Sequence, residues 1–323
     1  MRVAIIGGSG FIGTRLADVF NNEKTDFIII DKIKSEKYPE KTKLADIRDL
    51  ELLSECLKGI SVVINLAAEH RDDVTPKSLY DEVNIDGARN VCLACERNVI
   101  SKIIFTSSVA VYGLVDTCLD ESGEINYFND YGRTKWEAEK VYRHWLNGDE
   151  SRRSLTIIRP TVVFGEKNRG NVYNLLKLIS SGLFPMVGNG RNIKSMAYVE
   201  NVASFINFSI NNDVGESLFN YVDKPDFDMN TLVVHVKRIM GKNGKIGIHW
   251  PYWLGLFGGK AFDLLAVIIR RKLPISSVRI LKFCANTAFE SSNIKKTSFI
   301  PPVKIEDGIT RTIQYEFIKE EIN

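Results

Sequence analysis

The stretch MRVAIIGGSGFIGTRLADVF, Met1 to Phe20, sets a short β-branched run, glycines at Gly7, Gly10 and Gly13, and a helical pattern in immediate succession. The run reads as a strand opening a domain and TRLADVF as the helix that follows it. Glycines here allow a tight turn, let the backbone approach a pyrophosphate and let helix pack on strand, while the helix N-terminus offers N–H groups and a positive dipole to an anion. Ser9, Phe11 and Ile12 share this turn and join the three glycines as cofactor-binding candidates. The second strand, DFIIID, ends at Asp31, about twenty residues further on, where a carboxylate accepts bonds from the adenosine ribose hydroxyls and repels a 2′-phosphate. The cofactor expected is therefore NAD rather than NADP, a preference that the adjacent Lys32 tempers.

Outward from this unit, apolar runs keep alternating with helical patterns. DFIIID, DLELLSECLKG and SVVINLAA are followed by a helix from about Tyr80 to Asn98, the strand KIIFTSS, a helix containing Tyr131 and the strand LTIIRP. Continuous apolar strands bounded by helices indicate a parallel sheet covered on both faces, so the fold class is α/β, a doubly wound Rossmann sheet. Such sheets bind ligands at the carboxyl ends of their strands. Asp46 and Ile47 in LADIRD, where an adenine ring can rest, Leu66, Ala67 and Ala68 in NLAAEHR, Ser107 in TSSVAVYG and Pro160 closing LTIIRP are the further cofactor-binding candidates. After Phe164 the texture becomes rich in Gly and Asn, and strand-like ESLFNYV comes later. Residues 1–165 are expected to form the dinucleotide-binding domain, with 195–222 returning to it, and 166–194 with 223–323 a smaller, interleaved substrate-binding region.

Composition bounds the partners. Lysine plus arginine is 43 against 40 acidic residues, a net +3 spread along the chain, which offers no basic stripe for nucleic acid. The five cysteines lack both a metal-ligand spacing and a disulfide framework, so no metal is expected and reduced thiols in a cytoplasm fit best. The N-terminus lacks the pattern of a signal peptide. WPYWLGLFGGKAFDLLAVIIRRK, Trp250 to Lys272, is interrupted by Lys260, Asp263 and glycines before it reaches the ~20 apolar residues of a membrane span. It reads as a buried helix or a lid near the substrate, with an interfacial amphipathic helix as the other reading.

Three tyrosines stand four residues before a lysine: Tyr131–Lys135, Tyr173–Lys177 and Tyr315–Lys319. At that spacing on a helix the two side chains share a face, so the ammonium can favour the ionised phenol and make a proton acceptor. Only Tyr131 follows the strand whose end carries Ser107 and Ser108. The other two pairs lie outside the dinucleotide unit and read as solvated helix faces.

With the GxxGxxG turn, the VYG segment at Val111–Gly113 and YxxxK in place, the chain resembles an extended short-chain dehydrogenase/reductase of the NAD-dependent epimerase/dehydratase family, most strongly over residues 1–165. The resemblance implies Ser108, Tyr131 and Lys135 as catalytic residues and Asn84 as a residue near the cofactor. It implies that Tyr131, its pKa lowered by Lys135, takes a hydroxyl proton while hydride passes to NAD. Dehydratases of the family carry an acidic pair where this chain has Val109 and Ala110, which disfavours dehydration. The substrate candidates are Ser108, Val109, His70, Arg169, Asn171 and Lys194, the last standing where relatives use an arginine on the nucleotide diphosphate; Val162 replaces a common asparagine. The implied activity is 4-epimerisation of a nucleotide sugar in surface-polysaccharide synthesis, by a cytoplasmic homodimer. A nucleotide-sugar 4-ketoreductase, a 3β-hydroxysteroid dehydrogenase-like enzyme and a non-catalytic dinucleotide sensor are the alternatives.

Overall fold

The computed structural model describes residues 1–71, 74–114, 117–182, 184–247, 249–269 and 284–318. The first half runs β1 (Arg2–Ile6), α1 (Phe11–Asn22), β2 (Asp26–Asp31), β3 (Thr42–Leu44), α2 (Leu50–Cys56), β4 (Val62–Asn65), α3 (Ser78–Tyr80), α4 (Gly87–Arg97), β5 (Lys102–Thr106), α5 (Asp130–Asn147) and β6 (Ser154–Pro160). The second half runs β7 (Val162–Phe164), α6 (Asn171–Ser181), β8 (Met186–Val187), β9 (Ile193–Tyr198), α7 (Val199–Phe208), β10 (Gly215–Tyr221), β11 (Asp223–Asp228), α8 (Met229–Ile239), β12 (His249–Trp250), α9 (Tyr252–Ile269) and α10 (Ile305–Phe317).

A seven-stranded parallel sheet in the order β10-β6-β5-β4-β1-β2-β3 forms the body of the molecule, the doubly wound Rossmann arrangement. Alternation along each strand builds two cores. In β1, Ala4 and Ile6 face the side of α2, α4 and α5, while Val3 and Ile5 face α1 and α7; Ile28 with Ile30 and Phe27 with Ile29 divide in the same way on β2. Both faces are thereby buried, which is why these strands read as unbroken apolar runs.

The chain order shapes the rest. α7 packs on α1 and β10 completes the edge of the main sheet beside β6, whereas β9 pairs with β7 on one side and β11 on the other in a separate three-stranded sheet. A third core joins that small sheet to α6, α8 and α10 through Met196, Phe227, Leu232 and Ile309. The helix expected from Tyr80 to Asn98 is continuous but carries a π-helical turn over Asp81–Asp86, a local widening often found at functional sites. The Trp250–Lys272 stretch is helical over α9, but Trp250, Tyr252, Trp253 and Phe257 are exposed rather than buried; Arg270, Arg271 and Lys272 lie outside the described residues, as does Lys319.

Candidate active site

The strand order reverses between β1 and β4, and a crevice opens beyond their carboxyl ends. There the turn after β1 meets the segment after β4. Gly7 has φ +77°, and a Cβ on it would lie 2.7 Å from the Ala67 backbone nitrogen, so any larger residue would push these two segments apart. Gly10 caps α1 without a side-chain hydrogen bond, leaving the first N–H groups of the helix for an anion. Asp31 accepts the N–H of Ser9 at 3.0 Å and of Ile33 at 3.1 Å, which ties its carboxylate to the glycine turn. These are the features a dinucleotide needs: open N–H groups for its pyrophosphate and a fixed carboxylate for its ribose.

Three further candidates are engaged by other parts of the chain. Both oxygens of Asp46 accept from Arg48, at 3.0 and 2.8 Å, and that guanidinium holds the carboxyl below its ordinary range; the pair lines a cavity of about 480 Å³ with Asp49 and Leu50. Ile47 is buried against Gly87 of α4, where its side chain packs in the core. Asn84, within the π-helical turn, spends its amide on protein groups. Its oxygen accepts the Glu69 N–H at 2.8 Å, and its nitrogen donates to the Glu69 carbonyl at 3.0 Å and to Thr134 Oγ1 at 2.9 Å. It therefore clamps the segment after β4 to α5.

α5 starts at the Asn129 cap, whose side chain accepts the Gly132 N–H at 2.9 Å. Gly132 lies so near Ala110 that a Cβ would collide with the Ala110 carbonyl oxygen. This close approach brings Tyr131 to the short helical turn Val109–Tyr112, where the capping Ser108 Oγ accepts the Ala110 N–H at 3.1 Å. Tyr131 and Ser108 share a hydrogen bond that offsets part of the rise burial imposes on the phenol pKa. The expected lowering by Lys135 is absent in the protein alone, because burial dominates. Lys135 is 2 % exposed, with its ammonium 4.3 Å from the Phe105 ring centroid; burial lowers its pKa to about 7, and Glu139 one turn later opposes that fall. Extra positive charge in the crevice is what this phenol requires to become a base.

Beneath these residues is a buried ionic network that sequence reasoning missed. Arg159 on β6 donates to both oxygens of Glu139, at 2.8 and 2.6 Å, and to the Tyr112 hydroxyl at 2.6 Å. Glu139 also accepts from Ser107 Oγ at 2.5 Å and from Arg143 at 3.1 Å, and Tyr112 donates to Asn220 of β10 at 2.9 Å. Ser107 is thus a brace below the crevice, its hydroxyl already engaged. The signal was present as a lone arginine inside the apolar strand LTIIRP and an acid four residues after Lys135.

The substrate candidates are dispersed. Val109 packs in an apolar cluster with Val111, Tyr112 and Phe289. His70 is exposed on the loop after Glu69, and Asn171 is exposed at the start of α6. Arg169 does not stand free for a diphosphate: it bonds Glu316 of α10 at 2.6 Å and stacks on Tyr173 at 4.4 Å, so its charge pins α6 to α10. Lys194 on β9 donates to the Ala285 carbonyl at 2.6 Å, and burial lowers its pKa to about 8. Among the described residues no group of His, Cys, Asp or Glu is arranged to hold a metal.

A sequence model described as the NAD dependent epimerase/dehydratase family matches residues 3–220. The chain is 51% identical over 320 residues to the N-acetyl-alpha-D-glucosaminyl-diphospho-ditrans,octacis-undecaprenol 4-epimerase of Escherichia coli O157:H7, covering 98% of this chain and 95% of that one. It is 25% identical to the UDP-glucose 4-epimerase of Vibrio cholerae, covering 97% and 94%. Its fold superposes with a TM-score of 0.75, at 19% identity and 98% coverage of both chains, on the Thermotoga maritima UDP-glucose 4-epimerase crystallised with UDP-glucose. With its parallel sheet, glycine turn and matched length, the chain belongs to the NAD-dependent epimerase/dehydratase family of enzymes.

Proposed function

We propose that the enzyme inverts C4 of an N-acetylhexosamine carried through a diphosphate on a polyprenol. The observation that carries this reading is the end-to-end 51% identity with the Escherichia coli O157:H7 relative named for that conversion. The nucleotide sugar expected from the sequence likewise carries its sugar on a diphosphate, with no hexose named, and differs in what lies beyond the diphosphate. A polyprenyl carrier is consistent with a role in the assembly of a surface polysaccharide.

In this mechanism the Gly7–Gly13 turn, Asp31 and Leu66–Ala68 hold the cofactor. Bound NAD would supply reversible acceptance of the C4 hydride and a positive charge to the site. Tyr131 takes the proton of the C4 hydroxyl as C4–H is oxidised, and returns it when the 4-keto sugar has turned its other face. Ser108, already bonded to Tyr131, holds the reacting oxygen; Lys135 adds charge that favours the phenolate. The hydride and the proton both return to the sugar at C4, so no bond to the carrier breaks and no cofactor is consumed.

The test incubates purified enzyme, without added reductant, with polyprenyl-diphosphate N-acetylglucosamine in detergent and, separately, with UDP-N-acetylglucosamine. Sugars released by mild acid are separated by chromatography. N-acetylgalactosamine from the lipid-linked substrate alone supports the reading. Conversion of the UDP-sugar alone moves it to the nucleotide-sugar class of the Vibrio cholerae relative, and stoichiometric loss of NADH with a 4-keto sugar moves it to a reductase.

A further inference from the structure

Helix α9 turns large apolar side chains to solvent. Trp253 is 68% and Phe257 70% exposed, with Trp250 at 47% and Tyr252 at 43% close by in the chain. Trp253 and Phe257 are four residues apart and the exposed Lys260 follows three later, so the three share one helix face. The other side is seated: buried Gly255 lies against the Val187 side chain, β12 pairs with β8, and the Gly188 N–H donates to the Trp250 carbonyl at 2.9 Å. A cavity of about 550 Å³ lined by Arg191, Asn230, His249 and Trp250 opens at the root of the helix. From there the chain passes into β9 and Lys194. The aromatic face therefore adjoins the substrate-side region.

Its occupant is constrained by length and charge. No helix among the described residues is long and apolar enough to cross a membrane. From Trp250 to Lys272 the sequence carries the cations Lys260, Arg270, Arg271 and Lys272 against the single acid Asp263. An aromatic helix face that carries Lys260, in a stretch whose sequence is net positive, suits a helix lying in the headgroup layer of an anionic bilayer, with rings in the acyl boundary and ammonium groups at the phosphates. A polyprenyl-diphosphate substrate resides at that same boundary. We infer that the exposed face of α9 docks this enzyme on an anionic membrane surface and brings its substrate side to a lipid-anchored diphosphate; the inference rests on the polyprenyl reading above.

The test uses the full-length protein and sucrose-loaded vesicles free of any sugar lipid. Phosphatidylethanolamine with phosphatidylglycerol is compared with phosphatidylcholine alone. The protein is expected to sediment with the anionic vesicles, less so at high salt, and its tryptophan fluorescence to be quenched by lipids brominated in the acyl chain. Trp253→Ser combined with Phe257→Ser should weaken partitioning by about tenfold or more, with unchanged NAD binding and circular dichroism. Equal partitioning of the variant, or absence of quenching in the wild type, overturns the inference. So does a wild-type dimer that the double variant dissociates, since the face then covers a second copy of the chain. Vesicle binding with conversion of UDP-sugars alone removes the substrate reading and keeps the docking face; conversion of the lipid-linked sugar in detergent without vesicle binding does the reverse.

Discussion

The crevice around α5 and the outer region around α9 are built on opposite principles. At α5, Lys135, Glu139 and Arg159 are almost wholly buried, and Glu139 is bonded through both of its oxygens to Arg159, so these groups are held in place. At α9, Trp253 and Phe257 stand in solvent, and the described attachments to the neighbouring strands are chiefly backbone hydrogen bonds and the Gly255–Val187 contact. Proton transfer needs preorganised groups whose environment sets their pKa, and that requires burial. Reaching a partner needs accessible surface. Under the proposed function the division separates two tasks: the buried interior orders the groups that act on the sugar, and the exposed face meets what carries it.

The largest expected effect breaks the interior. Glu139→Ala leaves Arg159 charged and without its carboxylate in the core, and should cost about 3–5 kcal/mol in urea unfolding; a cost near zero would mean the network is not what holds α5. Tyr131→Phe should lower turnover at least ~10²-fold while NAD titration is nearly unchanged, because only the proton acceptor is lost. Tyr173→Phe, on α6 away from the crevice, should be almost silent and serves as its control.

Lys135→Met sharpens the comparison through pH. The buried lysine titrates at about 7 in the cofactor-free protein, below the ~10.4 of an unfolded chain. Both states are protonated below pH 7, where the cost of the buried charge is full. As pH rises toward ~10 the folded protein is relieved of that charge and wild-type stability rises, since the unfolded state binds the extra proton. The apo melting temperature of the variant should therefore exceed the wild type most at and below neutrality, and the gap should close in alkali, although turnover is lost. A constant gap across this range would place the effect in packing. The smallest effect is on the outside: Arg169→Ala should leave the KM for a diphosphate-linked substrate within about twofold, because its guanidinium already serves Glu316.

By itself, the sequence determined the features that depend on neighbours along the chain. The glycine spacing at Gly7, Gly10 and Gly13, the apolar runs, Asp31 at the end of its strand, and Tyr131 four residues before Lys135 all act within one turn or one strand–turn–helix unit, so order along the chain is enough to read them. Tertiary structure decided what the charges do. Arg169 and Glu316 are far apart in sequence, as are Glu139 and Arg159, and Asn84 and Thr134; whether a polar group is free for a ligand or consumed by the fold depends on partners that only folding brings within bonding distance. The same holds for α9, whose pattern in sequence leaves a buried helix, a lid and an interfacial helix open, and which in space turns an aromatic face to solvent. Periodicity tells which residues are apolar, while the area left uncovered by the rest of the chain tells which of them meet water.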